Sequence, residues 1–200
     1  MSKGFDTTND CAPLAARIKT GGYTFVARYY SHSIWKNLTR SEAGALSAAG
    51  LYIVAVWESA GDHPSFFSHD QGRHDGQTAF AFAQAIGQPL PSPIYFAVDA
   101  DLPGAGGVQA YFEGVREAFG AHGAIGSTAY SVGVYGSGNV CAHLSGLVYV
   151  SHTWLAQSMG WGGSRAYSDW NIKQGRSQNV LGLSVDTDIA AASGGGGWQL

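Results

Sequence analysis

The stretch Ile94-Tyr95-Phe96-Ala97-Val98-Asp99-Ala100-Asp101 decides how this chain is interpreted. Its first five residues are apolar, aromatic or β-branched, which is typical of a buried strand. Because side chains alternate along a strand, Asp99 and Asp101 are expected on one face, about 6–7 Å apart. Burying two carboxylates is costly, but a pair of them is what cleavage of a glycosidic bond requires. The alternative is that the two aspartates cap the following helix.

The composition excludes several classes of protein. The chain has 200 residues, enough for one domain with a sizeable core, and a formal net charge of −3. Its lysines and arginines are scattered, so neither nucleic acid nor an anionic membrane surface is an expected partner. No signal-peptide apolar region opens the chain, and no segment is long enough for membrane insertion. We therefore expect synthesis in the cytoplasm and action elsewhere only after lysis or dedicated export.

No cofactor is predicted from the sequence motifs. A glycine-rich segment in the middle of the chain lacks both GxGxxG and the lysine of a phosphate-binding loop. The seven histidines show no metal-ligand spacing, and His63, His69 and His74 fall in one polar stretch, interpreted as a solvated loop. Cys11 and Cys141 could form one disulfide, but their spacing does not establish it.

Strand-like and helix-like runs alternate along most of the chain, and the helices then disappear. Strands are predicted at residues 4–8, 23–30, 52–59, 93–101 and 133–136, followed by helix-poor strands at 149–156, 170–174 and 184–189. This order predicts an α/β fold, an irregular TIM-type barrel of (β/α)5(β)3 type that forms a single domain over residues 1–190. A doubly wound open sheet is the alternative. Residues 191–200 contain four consecutive glycines and are predicted to form a flexible C-terminal tail.

In a barrel of this class, functional side chains gather at the carboxyl ends of the strands. Carboxylates end or follow several of the predicted strands, although the chain has only 14 acidic residues. This concentration predicts an acidic pocket at one end of the barrel. The side chains at those ends are Asp6, Arg28, Tyr29, Trp57, Glu58, Asp99, Asp101, Tyr135, Trp154, Gln157, Gln174, Asp186 and Asp188.

Four short motifs occur in order along the chain: G-F-D at 4–6, D-x-D at 99–101, G-V-Y-G at 133–136 and V-D-x-D at 185–188. Together they resemble glycoside hydrolase family 25, the lysozymes or muramidases, which have a (β/α)5(β)3 barrel. A bacterial glycoside-hydrolase-like barrel family of unknown function is still more similar. The resemblance implies four catalytic acids: Asp6, Asp99, Asp101 and Asp186. Where the lysozymes have a glutamate as proton donor, this chain has the shorter Asp101.

The crowding of these acids supplies the negative charge that keeps a general acid protonated near neutral pH. We assign Asp101 as the general acid, while Asp99 stabilises oxocarbenium charge or orients a substrate acetamido group. Asp6 and Asp186 would tune protonation and position water. Glu58 is alternatively a second acid or a salt-bridge partner of Arg28. The predicted substrate-binding residues are Arg28, Trp57, Glu58, Tyr135, Trp154, Gln157, Gln174 and Asp188.

The leading hypothesis is a peptidoglycan-degrading, muramidase-like glycoside hydrolase that acts on an amino-sugar polymer without a cofactor. Such a domain would belong to a phage lysin or to an exported effector, and its partner would be an export or immunity protein. A non-catalytic carbohydrate-binding barrel is the second hypothesis, because an aspartate at position 101 has less reach than a glutamate. The third is a metal-dependent hydrolase that uses the aspartates as oxygen ligands.

Overall fold

Eight strands close into one barrel in the order β1 to β8, as seen in a computed structural model that describes residues 1–102, 105–122, 129–192 and 194–200. This architecture confirms the predicted single-domain TIM-type barrel and rules out the open sheet. The strands are β1 Ser2–Asp6, β2 Phe25–Tyr30, β3 Tyr52–Trp57, β4 Pro93–Ala97, β5 Ser131–Gly136, β6 His152–Leu155, β7 Ile172–Val180 and β8 Leu183–Ala190.

The helices follow the first five strands, as the alternation predicts. Strands β1 to β7 pair in parallel, whereas β8 is antiparallel to both β7 and β1. A two-residue turn at Leu181 and Gly182, both with positive φ, reverses the chain between β7 and β8. The helices are α1 Ala15–Thr20, α2 Arg40–Ala48, α3 His69–Ile86, α4 Gln109–His122 and α5 Gly138–Gly146.

Strand alternation divides the core into two layers. Outward-facing residues such as Phe5, Val26 and Phe96 pack under the helices, and inward-facing residues such as Tyr95 and Trp154 fill the barrel. The glycine of the G-F-D motif has a packing role, because a Cβ there would overlap the ring of Phe25 inside the barrel. The same alternation that points Phe5 outward points the next residue, an aspartate, into the barrel.

The strand at the D-x-D motif ends earlier than predicted. Strand β4 ends at Ala97, and the Asp99 N–H donates instead to the carbonyl of Gly61, at 2.9 Å, in the loop after β3. Because the chain leaves the sheet here, strand alternation no longer relates Asp99 to Asp101. The prediction that they share one strand face is therefore wrong.

The C-terminal residues pack on the barrel, which differs from the predicted flexible tail. Trp198 forms an antiparallel bridge with Ile53, and its side chain is 4% exposed. The hydroxyl of Tyr95 donates to the Gly195 carbonyl at 3.0 Å. Burial of one indole and these hydrogen bonds offset the conformational entropy lost by the glycines.

Cys11 and Cys141 are both free and buried, so they form no disulfide. Within the described ranges, no helix has the length and apolar character that a membrane span requires.

We predict that Trp198→Ala lowers the free energy of unfolding by about 3–5 kcal/mol, because it empties a buried indole site at the amino-terminal end of the barrel. Urea unfolding followed by circular dichroism measures the change. Trp35→Ala is the matched control: Trp35 is 72% exposed, and its removal is expected to change stability by less than about 0.5 kcal/mol. Equal, small effects of both substitutions would show that the terminal segment does not stabilise the barrel.

Candidate active site at the carboxyl-terminal mouth of the barrel

A cavity of about 240 Å³ opens at the carboxyl-terminal mouth of the barrel. Eight of the predicted site residues line it, and Tyr29, also noted at a strand end, joins them. Val56, Ala97 and Ser158 complete the wall and were not predicted. The predicted lining residues are Asp6, Glu58, Asp99, Tyr135, Trp154, Gln157, Gln174 and Asp186.

Asp6 lies at the base of this cavity, 4% exposed, with a donor on each carboxylate oxygen. The Tyr29 hydroxyl donates to Oδ1 at 2.8 Å, and the Gln174 amide donates to Oδ2 at 2.9 Å. Burial nevertheless raises the pKa of Asp6 to about 6, with the charge of Asp186 adding to the effect. Asp6 is therefore poised to change protonation near neutral pH.

Asp188 lies beneath Asp6 and does not line the cavity, contrary to its predicted role in substrate binding. Strand β8 pairs Asp188 with Gly4 and Asp186 with Asp6, so Asp188 lies one pleat deeper in the barrel. It is 1% exposed, and Trp154 Nε1 donates to its Oδ1 at 3.0 Å. Burial and the negative charge of Asp6 raise the pKa of Asp188 well above its usual range. The neutral form of Asp188 is therefore favoured beneath Asp6.

Asp186 lies closer to the mouth of the barrel than Asp188 does. It is half-buried, lines the cavity and accepts a short hydrogen bond from the hydroxyl of Ser177 on β7. Gln174 on β7 links Asp6 to β5, because its amide donates to Asp6 and its Oε1 accepts from the Tyr135 hydroxyl at 2.9 Å. The floor of the site is thus a continuous set of hydrogen bonds across β1, β2, β5 and β7.

Asp99 and Glu58 form the opposite side of the cavity. Asp99 is exposed, and its pKa is raised by partial burial and by the negative charges of Glu58 and Asp62. Glu58 binds Lys36 Nζ at 2.5 Å, and the same ammonium lies 4.8 Å from the ring centre of Tyr29. Since β2 and β3 separate β1 from β4, Asp99 faces Asp6 across the mouth.

Asp101 lies outside the cavity lining, which contradicts its predicted place beside Asp99. Its Oδ1 accepts from the Gly162 N–H at 2.8 Å, so it fastens the loop that follows β6. The reason is the early end of β4, after which the chain turns away from the barrel axis. The assignment of Asp101 as general acid therefore loses its geometric basis.

Arg28 and Trp57 lie behind the barrel wall and cannot contact a ligand in the cavity. Both are 1% exposed. Arg28 pairs with Glu42 of α2, with Nε–Oε1 at 2.6 Å, so the predicted alternative pair of Arg28 with Glu58 is wrong. Strand alternation accounts for both positions, because their neighbours Tyr29 and Val56 face inward.

We predict that ionisation of Asp6 destabilises the folded chain. Its pKa rises from 3.8 to about 6 on folding, so the native state binds the proton more tightly than the unfolded state between these values. Stability should fall by about 2–3 kcal/mol as the pH rises through that window. Asp6→Asn should remove this loss in urea unfolding at pH 4 and pH 7.

The control for this experiment is Asp70→Asn, since Asp70 is an exposed carboxylate on α3. The control should keep the pH dependence of the wild type. A pH dependence that is unchanged in Asp6→Asn would contradict the burial effect at Asp6.

Comparisons with known proteins agree with this barrel fold. Residues 16–190 match the family model of the Rv2525c-like, glycoside hydrolase-like domain. The match covers most of the chain, and the protein belongs to this family. The uncharacterized protein FadG of Bacillus subtilis (strain 168) is 28% identical over 193 residues, which cover 88% of this chain and 33% of FadG. The chain thus spans about a third of the length of that relative.

Solved structures show the same fold. The Tat-secreted protein Rv2525c of Mycobacterium tuberculosis superposes with a TM-score of 0.81 at 21% identity, covering 98% of both chains. A bacterial lysozyme from Streptomyces coelicolor superposes with a TM-score of 0.60 at 13% identity, covering 96% of this chain and 94% of that chain. The domain is therefore a glycoside hydrolase-like barrel that resembles lysozymes in fold, as the sequence motifs predict.

Proposed function

We propose that this domain is a glycoside hydrolase that cleaves peptidoglycan in the manner of a muramidase. The observation that carries the proposal is the pair of acidic walls around one cavity. Asp99 on the β4 side and Asp6 with Asp186 on the β1 and β8 side all line it. Two carboxyl groups across a sugar-sized cleft are the minimum machinery for glycosidic bond hydrolysis.

In this proposal Asp99 is the general acid. It reaches the cavity and solvent, and partial burial together with the charges of Glu58 and Asp62 raises its pKa and so favours its protonated form. It would protonate the glycosidic oxygen as the bond to the anomeric carbon breaks, and the leaving sugar would depart as an alcohol. This role replaces the one that the sequence motif suggests for Asp101.

Asp6 and Asp186 act from the opposite wall. Their negative charge would stabilise the oxocarbenium-like transition state directly, or would orient a substrate acetamido group that attacks the anomeric carbon. Asp188 would remain neutral beneath Asp6, because burial and the charge of Asp6 raise its pKa, so the negative charge of this pair would lie on Asp6. Water then attacks the anomeric carbon, and the Asp99 carboxylate acts as a base that takes a proton from this water.

The rim of the cavity suits a polymer. Ile34 and Trp35, in a short turn after β2, are 83% and 72% exposed. The next residue, Lys36, contacts both Glu58 and Tyr29 of the cavity wall. An exposed indole beside the mouth offers a flat apolar surface on which a neighbouring sugar ring can stack.

A non-catalytic carbohydrate-binding barrel is the second candidate. The observation that favours it is Asp101, which holds the Gly162 N–H at the position where the resemblance places a proton donor. In that case the acidic cavity would bind the glycan without turnover. For either function, the domain would act on the cell wall after lysis or through an export route; Rv2525c, which has the same fold, is a Tat-secreted protein.

We predict that Asp99→Asn lowers the release of muropeptides from purified cell walls by at least about 100-fold, because the variant has no proton to donate. Asp101→Asn is the matched control and should keep the activity within about threefold of the wild type. Mass spectrometry of the released fragments and an assay of new reducing ends measure both.

The two variants also separate the candidates. Loss of release in Asp101→Asn with full release in Asp99→Asn would return the donor role to Asp101. Binding of walls by the wild type, with no new reducing ends, would establish the non-catalytic barrel.

A further inference from the structure

A second group of ligating side chains lies outside the cavity, between the segment after β2 and helix α3. It consists of His32, His74 and Asp75, with one ligand atom of each residue within 4.8 Å of the others. We propose that these three residues bind a divalent transition-metal ion, with Zn²⁺ the best match to the donor set. The proposal does not depend on the function assigned to the cavity.

The geometry is close to that of a coordination site. His74 Nδ1 is 3.7 Å from Asp75 Oδ1, and the rings of His32 and His74 lie 5.9 Å apart at 33°. Zinc–nitrogen and zinc–oxygen bonds of about 2 Å in a tetrahedron bring ligand atoms to about 3.3 Å from one another. The two histidines are exposed, so small side-chain rotations supply the remaining convergence without moving the backbone.

Asp75 is the anchor of the group. It is 0% exposed, yet its partners are neutral: the Tyr111 hydroxyl donates to Oδ2 and the Gln71 amide donates to Oδ1, both at 2.8 Å. Within the described part of the chain, His74 is the only basic side chain in ion-pair range of Asp75. A buried carboxylate without a cation is costly, and a bound metal ion would supply the missing positive charge.

The same two donors orient the carboxylate as outer partners do in known metal sites. A ligating carboxylate is usually held by hydrogen bonds to its other lone pairs, which restrict its rotation. Tyr111 comes from α4 and Gln71 from the first turns of α3, so the position of Asp75 is set by the packing of two helices. On the other side, the His32 ring packs edge-on against Trp57 at 5.1 Å.

The donor set selects the class of ion. Two imidazoles and one carboxylate suit Zn²⁺ and its neighbours, whereas Mg²⁺ and Ca²⁺ prefer oxygen ligands alone. Three protein ligands leave at least one position for water. The ion would join α3 to the segment after β2, which also carries Lys36, the partner of Glu58 in the cavity wall.

Isothermal titration of Zn²⁺ into tag-free, chelator-treated and dialysed protein tests the proposal. We expect one ion per chain with a micromolar or tighter Kd, and at least tenfold weaker binding in both His32→Gln and His74→Gln. His63→Gln is the matched control: His63 is exposed, lies on a different loop and contacts Ser65. It should bind as the wild type does.

Cobalt provides a spectroscopic check of the same site. Co²⁺ bound to imidazole and carboxylate should give visible absorption bands that disappear in His32→Gln and His74→Gln. Both substitutions are at exposed positions, so the metal-free variants should melt at the temperature of the metal-free wild type. Absence of Zn²⁺ binding by the wild type, or equal affinity in all four proteins, would overturn the proposal.

Discussion

The burial of two carboxyl groups, Asp6 and Asp188, next to each other inside the barrel is the constraint on which the rest of the site depends. Strand β8 enters the barrel antiparallel to β1 and brings its aspartates beside the first strand. Two carboxyl groups in a nearly dry interior cannot both ionise at low cost. Burial therefore favours the neutral form of Asp188, and hydrogen bonds from Tyr29, Gln174 and Trp154 stabilise the two carboxyl groups. These donors in turn define the cavity floor, so the charge of the site and its shape have one origin.

The fold was predictable from the sequence because its signals are local. Strand–helix alternation over the first five units and the helix-poor last three strands describe the closed barrel correctly. Most of the predicted cavity residues were also found because they occupy strand ends. Strand alternation would have excluded Arg28 and Trp57 as well, since both lie next to inward-facing residues and so face the helices.

The errors arise where long-range contacts decide the structure. The end of β4 at Ala97 depends on a hydrogen bond from Asp99 to the distant Gly61, which no local pattern reports. The four consecutive glycines predict a flexible C-terminal segment, but Trp198 pairs with Ile53 of the third strand. The histidine and aspartate group is divided between a loop after β2 and a helix after β3, so no spacing motif could reveal it.

The cavity and the proposed metal group are neighbours along the chain. The segment after β2 carries His32 at one end and Lys36 at the other, and Lys36 holds Glu58 in the cavity wall. The same segment exposes Trp35 at the rim. One short stretch of chain thus connects the acidic wall, the surface offered to a polymer and the group of metal-ligating side chains.

The central claim is that burial inside the barrel raises the pKa values of both Asp6 and Asp188. Carboxyl ¹³C NMR titration of aspartate-labelled protein, with Asp6→Asn and Asp188→Asn used for assignment, tests it most directly. The account predicts that Asp6 titrates near pH 6 and that Asp188 titrates well above the ordinary range of an aspartate. Titration of both carboxyl groups at the ordinary pKa of an aspartate, about 4, would contradict it.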